Sequence, residues 1–115
     1  MSEPVLALDG DTILADGVPL LRLEPDACFM RAVPIAGHAR WMGSTWPWSG
    51  ALADLAWDIK AMHLAVGGVV WRIAELAAQQ MEVARRESDP ATRAPFLHEF
   101  DRLMQLAAIW RRFIP

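Results

Sequence analysis

The chain has 115 residues, 54% of them hydrophobic and 22% charged, with a formal net charge of −3. That length makes one domain, residues 1–115, with a modest core and more apolar surface than such a core needs, and the acidic balance argues against a general nucleic-acid binder, which needs a basic face. One cysteine, Cys28, excludes an internal disulfide framework and predicts a reducing, cytoplasmic setting. No apolar run reaches the roughly 18 residues a spanning helix needs, so no transmembrane segment is expected. The N-terminus Met1-Ser2-Glu3-Pro4 lacks the basic start of a signal peptide. Abundant Ala and a basic set that is nearly all Arg fit a bacterial or phage origin.

The charge is unevenly spread. Glu3, Asp9, Asp11, Asp16, Glu24 and Asp26 face Arg22 alone in residues 1–26, a net of −5, which leaves +2 for the rest. The two parts should attract each other, within a chain or between chains.

Residues 1–35 read as a β-meander of three or four short strands. Apolar runs at residues 5–8, 12–15 and 18–23 are separated by Asp9-Gly10 and Asp16-Gly17, a strong hairpin signal because Gly accepts positive φ and Asp tolerates it. Pro19 has no N–H to give, which places it at an edge or a strand start. Residues 27–33 suggest a fourth strand. Residues 36–50, with Gly37, Gly43, Pro47 and Gly50, read as a loop rich in tryptophan: Trp41, Trp46 and Trp48.

Residues 50–87 predict one long helix. Leu52, Leu55, Ile59, Met62, Val66, Val69, Ile73, Leu76, Gln80 and Val83 alternate spacings of three and four, the pattern of a helix packed along another. Trp57, Leu64, Trp71 and Ala78 form a second stripe on its other side. Ser49 is the predicted N-cap, and Arg85 and Arg86 complement the negative end of the dipole. Gly67-Gly68 could mark a break, but the heptad phase crosses them without a slip. A continuous helix is therefore expected, with the glycines admitting a neighbouring backbone. Residues 92–114 predict the last helix, with Thr92 as cap, Pro95 in the first turn, and Phe96, Phe100, Leu103, Ala107, Trp110 and Ile114 as its main stripe. The fold class is thus α+β: a meander followed by a long antiparallel helical hairpin, assembled as a helix-bundle dimer. The hairpin resembles the small two-helix anti-activators of bacterial quorum sensing in ending Phe113-Ile114-Pro115, a likeness that covers neither the β region nor the Trp-rich loop.

No catalytic or metal motif stands out. His38, His63 and His98 lack ligand spacing, and Asp9, Asp11 and Asp16 lack the calcium-loop pattern. No Gly-rich phosphate loop or nucleophile elbow occurs. Cys28, in an apolar run, reads as a small buried hydrophobe. The expected function is therefore non-enzymatic and needs no cofactor. It is that of an oligomerising protein-interaction module, acting as an assembly component or as an inhibitor that sequesters a protein partner. Leu52, Leu55, Ile59, Met62, Val66 and Val69 are the candidate self-association seam. Trp46, Trp48, Trp57, Leu64 and Trp71 are the candidate partner-binding residues. Arg85, Arg86 and Arg93 are candidate nucleic-acid contacts in one alternative, and a small-ligand-binding protein or enzyme with a pocket under the Trp loop is another.

Overall fold

The computed structural model describes residues 2–35 and 44–115. His38 and Trp41 lie outside the described residues. The class is α+β: a five-stranded antiparallel sheet followed by three helices. The strands β1 (Leu6–Asp9), β2 (Thr12–Ala15), β3 (Val18–Asp26), β4 (Phe29–Pro34) and β5 (Trp46–Trp48) lie side by side in chain order.

Turn chemistry builds the meander. Asp16 and Gly17 join β2 to β3 with φ of 48° and 80°, the paired positive values of a tight turn whose twist matches the flanking strands. Gly10 supplies the positive φ between β1 and β2. The β3–β4 turn is less well served. Ala27 holds φ at 54°, a left-handed conformation that costs a residue with a Cβ about 1–2 kcal/mol. Cys28 beside it is exposed, not buried as the sequence suggested, because this turn points away from the core.

Pro19 sits opposite Leu14, and the register then slips: Ile13 faces Leu21, leaving Leu20 as an extra residue on β3. This bulge spares the missing donor a ladder position and breaks the alternation, so Leu20 and Leu21 are both fully buried. Beyond it, cross-strand rows Ile13–Leu21–Pro34 and Leu23–Ala32–Trp46 form the buried face of the sheet. The stretch expected to be loop thus supplies a strand, β5, because Trp46 and Trp48 can pair with Ala32 and Met30.

The helices are α1 (Leu52–Ala61), α2 (His63–Arg86) and α3 (Pro90–Arg111). The expected single long helix is two, bent by 84° at Met62. Met62 leaves helical geometry, with φ −99° and ψ 49°, while its N–H still reaches Asp58 and Ile59 carbonyls and its carbonyl accepts from Val66. One residue therefore ends α1 and starts α2. Gly67-Gly68, the visible candidates for a break, stay helical. A Cβ placed on either would meet nothing within 4 Å, so among the described residues no backbone makes the close approach expected of them.

Two caps also differ from expectation. Ala51, not Ser49, is the N-cap of α1, although the Ser49 hydroxyl accepts from the Ala51 N–H at 3.4 Å. Asp89, not Thr92, caps α3, which starts at Pro90; Thr92 donates to the Asp89 carboxylate at 2.7 Å. Pro95 then falls inside α3, on its exposed side. α2 and α3 pack along each other as a helical hairpin. The core joins sheet and helices: Leu55, Ile59, Val66, Val69 and Ile73 meet Leu103, Leu106, Ala107, Trp110 and Phe113 over the buried sheet face.

Candidate interaction surface

The elbow at Met62 decides which side chains remain available. Leu55, Ile59, Val66 and Val69, expected to form a seam with another copy, line its inside and are buried in the chain's own core. The chain itself satisfies them, so of that seam only Met62 and part of Leu52 stay accessible. The second stripe has the opposite fate. Trp57 and Trp71 are 69% exposed, Leu64 is 83% exposed and Met62 42%. Helical periodicity is the cause: with Val66, Val69 and Ile73 turned inward, residues 64, 71 and 78 must point outward. Gly67 and Gly68 lie between Leu64 and Trp71, where each lowers helix stability by about 1 kcal/mol relative to Ala.

The tryptophans divide the same way. Trp46 on β5 stacks on Trp110 of α3, with ring centroids 5.6 Å apart and planes at 23°, and Phe113 closes the cluster at 5.9 Å from Trp110. Trp46 is fully buried and takes no part in any surface, contrary to the partner-binding role expected of it. The buried indole N–H groups of Trp46 and Trp110 find no acceptor among the described residues. Trp48, half-buried, borders a cavity of about 360 Å³ with Pro47, Ser49, Asp54, Trp57 and Asp58. Two indoles and two carboxylates around one hollow suit a cationic group, which an indole face attracts and a carboxylate neutralises.

Ion pairs fix the acidic N-terminal third to the rest, so the charge asymmetry is answered within the chain. Asp16 pairs with Arg112 and Glu3 with Lys60 at 3.2 Å, while Asp26 pairs with Arg31 inside the meander. Arg112 also donates to the Ser2 carbonyl at 2.9 Å, tying the end of α3 to the N-terminus. The Val5 N–H donated to Asp16, with the Arg112 guanidinium beside it, holds that carboxyl below its ordinary value. On α3 the Arg102 guanidinium bonded to Glu99 lowers the Glu99 pKa and is itself raised.

The candidate nucleic-acid arginines are mostly engaged. Arg86 pairs with Glu82 at 3.1 Å, and Arg93 donates twice to the Glu87 carbonyl, at 3.0 and 2.7 Å. Arg85 is exposed. His63 and His98 are exposed on separate helices. Among the described residues no group of three His, Cys, Asp or Glu side chains converges as a metal site. Among the described residues no single helix is long and apolar enough to cross a membrane.

The exposed Trp57 and Trp71 were legible as a stripe, but their exposure was not, because the same spacing fits a covered face. A pocket at the Trp-rich stretch was an alternative reading, but its lining by Asp54, Trp57 and Asp58 was not legible, since the hollow forms only when β5 docks beside α1. No family model, no curated protein and no solved structure matches the chain.

Proposed function

We propose that the chain is a non-enzymatic, oligomerising interaction module that holds or blocks a protein partner, as an assembly component or as an inhibitor that sequesters it. One observation carries this reading: among the described residues Trp57, Leu64 and Trp71 stand exposed while the neighbouring stripe Leu55, Ile59, Val66, Val69 and Ile73 is buried in the core. Contiguous apolar surface rimmed by polar residues marks an interaction site, and tryptophans are favoured anchors there. Light scattering over a dilution series tests it. The wild type should exceed one chain mass at high concentration, and a Trp57→Ser, Leu64→Ser, Trp71→Ser variant of unchanged helix content should not. A wild type that stays at one chain mass throughout contradicts the reading.

The cavity beside Trp48 and Trp57 favours a second reading, a small-ligand site for a cation. Tetramethylammonium should then quench tryptophan fluorescence in the wild type and do so less in Trp57→Ala. Equal quenching in both removes this alternative.

A further inference from the structure

We infer that the occupant of the outward face of α2 is a second copy of this chain, whose own α2 crosses it at Gly67-Gly68; the inference rests on the interaction reading above. Three features of the face single out a like copy. The first is shape. Leu64 and Trp71 project from the helix seven residues apart, and Gly67 and Gly68 leave a gap between them that nothing among the described residues fills. A two-fold contact needs one patch that carries both projection and recess, since each copy supplies both halves. Here the recess of one helix admits the side chains of the other, as in close helix crossings.

The second feature is charge. A two-fold contact tends to set each side chain near its own equivalent, so an unpaired charge would meet its like. Between residues 63 and 78 the ionisable side chains are His63, Arg72 and Glu75. Arg72 and Glu75 neutralise each other at 2.6 Å. The α2 part of the face therefore carries no unpaired carboxylate or guanidinium to repel a copy of itself; the carboxylates Asp54 and Asp58 lie on α1, beside Trp57.

The third is area. Met62, Leu64 and Trp71 leave roughly 400 Å² open per copy, about half of the ~800 Å² per partner of a specific interface, and Trp57 on α1 adds exposed apolar area beyond the bend. A copy of the same elbow is large enough to cover it.

Cross-linking tests the crossing point separately from self-association. In a Cys28→Ser background, Gly68→Cys treated with a short bis-maleimide should give a species of twice the 12.8 kDa chain mass. Ser88→Cys, in the connection beyond the far end of α2, should stay single. The doubled band at position 68 alone supports the inference. A dimeric mass by light scattering without cross-linking at position 68 overturns the crossing and leaves self-association standing. A wild type of single-chain mass overturns both. A single-chain protein that floats with phosphatidylcholine vesicles assigns the face to a membrane surface instead.

Discussion

Leu55, Ile59, Val66, Val69 and Ile73 line the inside of the α1–α2 elbow, whereas Trp57, Leu64 and Trp71 line its outside. Both stripes recur along the chain at helical spacing, and both are strongly apolar. The inner one is buried against the sheet and α3; the outer one stands in solvent. Periodicity says that a face wants covering, not what covers it. The difference also separates two kinds of consequence: the inner stripe should govern folding, the outer one association.

The largest expected effect lies on the inner side. Trp110→Ala removes the ring stacked between Trp46 and Phe113 and should cost about 3–5 kcal/mol, read as a lower urea midpoint. Val66→Glu buries an unpaired charge and should unfold the chain, not merely dissociate it. Trp71→Ala, measured at a dilution where the chain is single, should change folding by no more than about 0.5 kcal/mol. Equal losses at Trp110 and Trp71 would erase the distinction between the two stripes.

The sequence carried the class and four strands because Asp-Gly turns and short apolar runs act locally. It missed β5, since Trp46-Pro47-Trp48 becomes a strand only by pairing with β4, a non-local gain. It missed the elbow for another reason. A hinge of one residue neither adds nor removes a position, so the heptad count passes through Met62 as if the helix were straight. The most visible helix breakers, Gly67 and Gly68, drew attention five residues too late. The exposed stripe was legible as Trp57, Leu64 and Trp71. The inner seam was assigned to a partner because a straight helix of that length would have outrun α3. Once bent, α1 lies by the sheet and that excess disappears.

Smaller changes sharpen the same contrast. Gly68→Glu should stabilise the single chain by about 1 kcal/mol, because Glu favours the helix and meets open space, while it weakens association. A change that raises folding stability and lowers mass is hard to obtain unless the two stripes are independent. Ala27→Gly relieves the positive φ in the β3–β4 turn and should add about 0.5–1 kcal/mol to folding with no change in mass.

The smallest effect is the pH-dependent one. Asp16 has a folded pKa below its unfolded value of 3.8, so its ionised form stabilises the fold above that value. The contribution is lost as pH falls through the lowered folded pKa. Asp16→Asn keeps an acceptor for the Val5 N–H but loses the charge facing Arg112. Its urea midpoint should lie slightly below that of the wild type at pH 6, and the two should converge near the acid limit. A gap that widens on acidification would place the stabilising charge elsewhere.

The most direct measurement is the solution mass of the wild type beside Trp71→Glu, by light scattering at matched concentrations. The wild type should reach twice the 12.8 kDa chain mass, and Trp71→Glu should fall to one chain with its helix content intact. A wild-type monomer, or a dimer that Trp71→Glu leaves unchanged, contradicts the claim that the outside of the elbow is where this protein meets its like.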